Sequence, residues 1–380
     1  MKHKLLRLIF SGILYLVPAL LAAQVITPAP PPLSARGYLL IDQHSGRVLA
    51  SKAENERMEP ASITKLMTAY TIFGALRAGQ IELSDQVLVS EKAWRTPGSR
   101  MFIEVGTRVS VELLLQGMIV QSGNDASVAL AEHVASSVEV FAGLMNQLAG
   151  ELGMTETHYV NSTGLPAEDH YTSAADIAKL AKAIITEYPE YYRWYSQKEF
   201  TYNDIKQPNR NSLLWRDPSV DGLKTGFTDA AGYCLVSSAV RDGMRLIAVV
   251  LGNRNEDARA RESQTLLNYG FRFFETRLLY PAGGTVTETR VWKGSRELAD
   301  LGVKDNFYVT VPKGSYDQLE AAVDVPARLM APLDPSQQLG QIRVVLDEQI
   351  MASADLYTLT DVETGNLWQR SRDTVLLWFE

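Results

Sequence analysis

The distribution of apolar periodicity limits the fold of this chain more than any other feature: β-rich runs stand at both ends of a long helical stretch. Gly37 to Asp42 and Arg47 to Lys52 flank a His44-Ser45-Gly46 turn and predict a β-hairpin. Far downstream, Asp221 to Phe227, Tyr233 to Val240 and Met244 to Leu251 predict three more strands, the last two joined by the tight-turn signal Arg241-Asp242-Gly243. Between these ends, segments near Ser62 to Ala78, Val111 to Ile119, Ala126 to Ala135 and Ala174 to Ile185 carry apolar residues at helical spacing, separated by Gly and Pro breaks. Ala258 to Leu279 also reads as helix. Such an order predicts one α/β domain over 36–283 whose sheet pairs N-terminal and C-terminal segments beside a helical cluster.

Beyond Pro281 the pattern changes. Phe307, Val309 and Val311 alternate with Tyr308 and Thr310, and Ile342, Val344 and Leu346 repeat the period of two, so 284–365 is expected to be a small all-β domain. In the last stretch, 366–380, Leu367, Trp368, Val375, Trp378 and Phe379 fall within one helical arc, with Arg370 and Asp373 away from it. That pattern predicts an amphipathic helix suited to a membrane interface, or alternatively a terminal helix packed on the β domain.

At the other end, basic Met1 to Arg7, an apolar run from Leu8 to Leu21 and small Ala22 and Ala23 read as a secretory signal, 1–23, cleaved after Ala23; a retained membrane helix is the alternative. Pro28, Pro30, Pro31 and Pro32 make 24–35 a stiff linker, with order expected from about Arg36. The body is therefore expected outside the cytoplasm, where the single Cys234 forms no intramolecular disulfide and stability rests on the core. The formal charge of −7 becomes three units more negative once Lys2, Lys4 and Arg7 leave with the signal. Such a surface excludes nucleic acid as a partner, because non-specific binding needs Lys and Arg to neutralise phosphates.

Three short motifs occur in order. Ser62-Ile63-Thr64-Lys65 opens an otherwise apolar helix, and three-residue spacing puts Ser62 and Lys65 on one face. A serine hydroxyl needs a base to become a nucleophile, and a desolvated lysine, whose pKa falls on burial, can be that base. The bland reading is an N-cap serine and a surface lysine. Ser122-Gly123-Asn124 lies at a break between helices, where Gly permits a turn that presents Ser122 and Asn124 to a cleft; alternatively Asn124 or Asp125 caps the next helix. Lys224-Thr225-Gly226 sits in a predicted strand, where a small Gly lets a backbone approach and Lys224 with Thr225 can bind a carboxylate; otherwise it is a strand end entering a turn.

Taken together, S-x-x-K, S-x-N and K-T-G make the chain resemble the penicillin-recognising serine acyltransferases. The stretches Glu59 to Thr68, Gln207 to Trp215, Asp221 to Tyr233 and Glu262 to Glu275 resemble more narrowly the low-molecular-mass penicillin-binding proteins that are D-alanyl-D-alanine carboxypeptidases. The resemblance implies a serine transpeptidase/β-lactamase-like domain, peptidoglycan stem peptides as substrate, β-lactams as covalent inhibitors, no cofactor and no metal, and a place on the periplasmic face of the inner membrane, held peripherally by the C-terminal helix. It further implies Ser62 as nucleophile, Lys65 as general base, Ser122 as proton relay to the leaving D-alanine and Asn124 as a peptide-binding residue. Lys224, Thr225 and Gly226 would receive the terminal carboxylate with help from Arg259, and the backbone N–H groups of Ser62 and Phe227 would form the oxyanion hole. Some relatives carry histidine where Phe227 stands; the backbone donor survives that change, whereas a side-chain contribution does not.

Other chemistries fit less well. The chain lacks the E-x-x-L-N segment of class A β-lactamases, the G-x-S-x-G of Ser-His-Asp hydrolases and the H-E-x-x-H of zinc peptidases. A D,D-endopeptidase would use the same residues, and a non-catalytic wall-associated scaffold is the alternative of a different class.

Overall fold

The computed structural model describes residues 27–379, so the expected signal, 1–23, lies outside the described residues. The predicted end strands meet in one antiparallel sheet of β1 (Gly37–Asp42), β2 (Val48–Lys52), β3 (Val220–Thr228), β4 (Gly232–Arg241) and β5 (Met244–Asn253), in the order β2-β1-β5-β4-β3. β1 pairs with β5 from Gly37↔Leu251 to Asp42↔Leu246, which closes the N-terminal hairpin onto the C-terminal strands. β3 lies at the sheet edge.

Both faces of this sheet are covered, and the period of two sorts its side chains between them. Leu39, Ile41, Leu223, Val236, Ile247 and Val249 face a core shared with the helices between β2 and β3. Tyr38, Leu40, Leu235, Leu246, Ala248 and Val250 face a second core closed by Leu266, Leu267 and Tyr269 of the helix that follows β5. The helical side is built from α1 (Lys65–Arg77), α2 (Val111–Val120), α3 (Asn124–Ala135), α4 (Val138–Glu151) and α5 (Ala174–Glu187). α1 is buried on every side, from Lys65 through Phe73 without a break, as expected of a helix that is apolar all round.

Two expectations change here. The helix after β5, α6, spans Glu256–Phe273 and stops there; Phe274–Tyr280 is a strand, β6, paired antiparallel with Phe307–Pro312. The apolar pattern over this stretch suits either state, and the partner strand decides it. Order also begins before Arg36: Tyr269 donates to the Pro28 carbonyl at 2.8 Å, and Glu262 accepts from the backbone N–H groups of Ser34 and Ala35 at 3.0 and 3.1 Å. An extended proline segment leaves its carbonyls free, so α6 can hold it by side-chain bonds alone.

The all-β expectation for the C-terminal region is met by a six-stranded sheet beside the β6 pair, around a core that includes Val309, Val311, Leu301, Ile342, Val344 and Leu356. It joins the first sheet through the His44-Ser45-Gly46 turn. His44 stacks on Tyr308 at 4.6 Å, and Ser45 Oγ and Thr310 Oγ1 lie 2.6 Å apart. Asp42, fully buried at the end of β1, accepts from Thr276 Oγ1 at 2.7 Å and from Ser45 N and Oγ at 2.7 and 2.9 Å. The final helix, Leu367–Leu376, is shorter than the predicted arc, and it turns its polar face inward: Asp373 is buried and accepts from Lys293 N at 2.6 Å.

Because Asp42 satisfies three donors that have no water to replace it, Asp42→Ala is expected to lower the unfolding free energy by about 1–3 kcal/mol. Urea denaturation of the purified chain measures this, and Asp42→Asn, which keeps one acceptor oxygen, should lose less.

Candidate active site

A single 3₁₀ turn, Ala61–Thr64, leads straight into α1 and carries Ser62. Neither Pro60 before the turn nor Thr64 before α1 makes a side-chain cap, and Ser62 caps nothing, so the N-cap reading of this serine falls. Lys65 begins α1 and is only 1% exposed. An amine that deep needs partners, because an unpaired buried polar group costs about 1–3 kcal/mol. Its Nζ lies 2.6 Å from Asn124 Oδ1, 2.6 Å from the Thr163 carbonyl and 3.1 Å from Ser62 Oγ. Burial, with the Arg210 cation adding to it and Asp125 opposing, pulls the Lys65 pKa down to about 7. A neutral amine has two N–H groups and one lone pair. With Asn124 and the Thr163 carbonyl taking the two hydrogens, the lone pair is left for the Ser62 hydroxyl.

Ser122 occupies the break between α2 and α3 with φ +67, a left-handed conformation rare outside glycine and asparagine. That bend aims its side chain at the sheet, where Lys224 Nζ donates to Ser122 Oγ at 2.8 Å. Asn124 opens α3, sends Oδ1 to Lys65 and donates Nδ2 to the Pro97 carbonyl at 2.6 Å. The capping alternative fails, since α3 has no side-chain cap. Asp125 instead accepts from the backbone N–H groups of Met101, Phe102 and Ile103 at 3.0, 2.9 and 3.3 Å, holding a neighbouring loop against the helix.

On the edge strand β3, Lys224 is buried, and its pKa is pushed well below the usual lysine range by desolvation first and then by the cations of Lys65, Arg210 and Arg259. Thr225 follows it, also buried. A methyl group on Gly226 would stand 3.1 Å from the Pro60 carbonyl oxygen and 3.2 Å from Ala61 Cβ. The backbone that approaches this glycine is therefore the chain's own Ser62-bearing turn. The Phe227 ring is half exposed and lies tilted against Tyr233, with centroids 4.3 Å apart. Arg259, on α6, donates to the Gly226 carbonyl at 3.4 Å and pairs with Glu256 at 2.8 Å. It reaches the strand's backbone and not the side chains of Lys224 or Thr225.

The structure thus gathers Ser62, Lys65 and Asn124 in one hydrogen-bonded group and Ser122 with Lys224 in a second, and sets Thr225, Gly226 and Phe227 on the same strand as Lys224. Sequence reasoning missed three contributors: the Thr163 carbonyl, the Asp125 carboxylate, and Arg210, whose Nε donates to the Gln121 carbonyl at 3.1 Å. A backbone carbonyl has no residue signature. Asp125 and Arg210 were in view only as a helix cap and as part of a resembling stretch.

Comparison with known proteins shows the family. The family described as D-alanyl-D-alanine carboxypeptidase matches residues 24–255, and the C-terminal domain of penicillin-binding protein 5 matches residues 274–364. D-alanyl-D-alanine carboxypeptidase DacC of Escherichia coli is 43% identical over 378 residues, covering 97% of this chain and 94% of that protein. The crystal structure of penicillin-binding protein 5 from Haemophilus influenzae superposes with a TM-score of 0.86 at 41% identity, over 88% of this chain and 99% of that one. Penicillin-binding protein D2 of Listeria monocytogenes, solved in its ampicillin-bound form, matches with a TM-score of 0.60 at 28% identity over 64% of this chain and all of its own. With the family match running over 24–255 and the similarity over nearly the whole chain, the chain belongs to the D-alanyl-D-alanine carboxypeptidase family, the serine peptidases of the low-molecular-mass penicillin-binding proteins.

Proposed function

We propose that this protein removes the terminal D-alanine from peptidoglycan stem peptides through an acyl-serine on Ser62, and that β-lactams block it by acylating the same atom. The observation that carries this reading is the Ser62–Lys65 pair, 3.1 Å apart, with Lys65 buried and held by two further acceptors. Neutral Lys65 takes the Ser62 proton as Oγ attacks the penultimate carbonyl carbon. The oxyanion forms between the backbone N–H groups of Ser62 and Phe227. Ser122 passes a proton to the departing amine, after which water attacks the ester and regenerates Ser62.

The free edge of β3 supports a substrate bound as an added strand, because edge N–H and C=O groups are open to an extended peptide. Its terminal carboxylate lies at Lys224, Thr225 and Gly226, where the guanidinium charges of Arg210 and Arg259 nearby favour negative charge. Arg259 acts there through its field and its hold on the Gly226 carbonyl, and Asn124 orients both Lys65 and the bound peptide.

The mature enzyme on this reading starts after Ala23, with the linker at 24–35, the catalytic domain at 36–283, the β domain at 284–365 and the anchor at 366–380. It is exported and sits on the periplasmic face of the inner membrane. Among the described residues no single helix is long and apolar enough to cross a bilayer, and the attachment on this reading is peripheral. In support, Leu367, Trp368, Trp378 and Phe379 are 71–84% exposed, while Asp373 and Gln369 bond the β domain at Lys293 N and the Ser295 carbonyl. A helix that docks by its polar face presents its aromatic residues outward, where they suit a lipid interface.

Three outcomes are expected. Mass spectrometry after penicillin treatment should show one drug added to the purified chain and none to Ser62→Ala, with D-alanine release from a pentapeptide lost in parallel. Acylation should speed up as pH rises through about 7, because Lys65 is an ammonium without a lone pair below that value and an amine above it; a rate flat across this range would remove Lys65 as the base. A chain ending at Gly365 should leave the vesicle-bound fraction while keeping peptide turnover.

A further inference from the structure

None of the three motifs accounts for His170. The segment from His158 to Tyr171 is a closed loop whose ends exchange backbone hydrogen bonds at 2.9 and 3.1 Å. Its far bend carries Thr163, the residue whose carbonyl holds Lys65. His170 sits at the closed end, only 5% exposed, with the Tyr159 ring edge-on at 5.8 Å. The Val160 N–H donates to His170 Nδ1 at 3.0 Å, which leaves that nitrogen without a proton and puts the neutral ring's hydrogen on Nε2. Nε2 lies 2.9 Å from Thr64 Oγ1, the hydroxyl of the last residue in the Ser62 turn, and donates to it. At the same junction Gly164, with φ +83, is pressed against that turn: a methyl there would stand 1.8 Å from the Ala61 carbonyl oxygen and 2.9 Å from Thr64 Oγ1.

We propose that His170 is a positioning residue that clamps the Thr163 loop to the Ser62–Lys65 turn and so sets the angle at which the Lys65 lone pair meets the Ser62 hydroxyl. The inference rests on the reading of Ser62 and Lys65 as nucleophile and base. One hydrogen bond enters the ring from the loop and one leaves it for the turn, so the ring ties the two segments together at the turn itself, while Thr68 Oγ1 donates to the Ser162 carbonyl at 2.7 Å one helical turn further on. Only the neutral ring can do this, since a proton on Nδ1 would face the Val160 N–H. The surroundings keep it neutral: burial, then the neighbouring His158, hold the His170 pKa down to about 4. The remaining charged groups nearby are Glu168 and Asp169 on its own loop, Lys65 beyond Thr64, and Glu59 across a small cavity of 330 Å³ that His170 also lines.

The test separates noncovalent binding of benzylpenicillin from the acylation step, using rapid-quench mass spectrometry on the full chain. His170→Phe keeps a ring and loses both hydrogen bonds, Thr64→Val removes the acceptor from the other side, and His170→Gln retains a donor and an acceptor. Phe and Val should each slow acylation about 10- to 100-fold, the scale expected for misplacing a reacting group, with the noncovalent Kd held within about twofold. Gln should recover most of the rate, and the His170→Phe/Thr64→Val double variant should be no slower than the worse single, since both cut one link. Full-rate acylation by a folded Phe or Val variant overturns the clamp, as does an equal loss of binding and acylation in all three variants, Gln included. If the Phe variant does not fold, Thr64→Val decides alone. A wild-type chain that takes no drug sinks the Ser62–Lys65 reading and the clamp with it, whereas normal wild-type acylation beside unimpaired variants sinks the clamp alone.

Discussion

Everything at the active site follows from placing one amine where water cannot reach it. α1 is apolar around its whole circumference, so Lys65 at its first turn has no route to solvent, and its charge is disfavoured by burial. The fold answers with acceptors from two separate segments, Asn124 at the start of α3 and the Thr163 carbonyl, and the third direction is left to Ser62. Desolvation disfavours the ammonium form and brings the Lys65 pKa down to about 7. The same contacts tie α1, α3 and the 158–171 loop to one point, so packing and catalysis impose one requirement on the chain.

The sheet supplies the other half of the cleft. Both of its faces are covered by apolar side chains, which leaves the edge of β3 as its open side toward the catalytic turn. Gly226 lets the turn come within contact distance of that edge, and Lys224 crosses the remaining gap to Ser122. At the far side of the sheet, the β1–β2 turn ends in the Asp42 network that binds the C-terminal strands. Catalytic cleft and β domain thus attach to opposite margins of one rigid layer.

Much of this was legible in the residues. β-rich runs set off by turn signals over 37–52 and 221–251 marked the strands that pair, and three-residue spacing put Ser62 and Lys65 on one helical face. Failures cluster where local pattern is ambiguous or silent. Phe274–Tyr280 has a pattern compatible with helix, and only Phe307–Pro312 lying alongside makes it a strand. Asp125 stands in a sequence position typical of a cap, yet its carboxylate is captured by a loop more than twenty residues away in sequence. α4 was not anticipated at all, although Val138, Phe141, Ala142, Met145 and Ala149 line one face of it in hindsight.

By itself the sequence determined the strand and helix periods, the net negative charge, and the order of the three short motifs. These are local properties: side-chain type, spacing and composition carry them without reference to distant neighbours. The tertiary structure decided which groups meet. It paired β1 with β5 across more than two hundred residues, brought Asn124 and the Thr163 carbonyl to Lys65, and set His170 between Val160 and Thr64. Hydrogen bonds of that kind depend on ångström-scale approach between segments far apart in the chain, several through backbone atoms that every residue shares, so no residue pattern announces them.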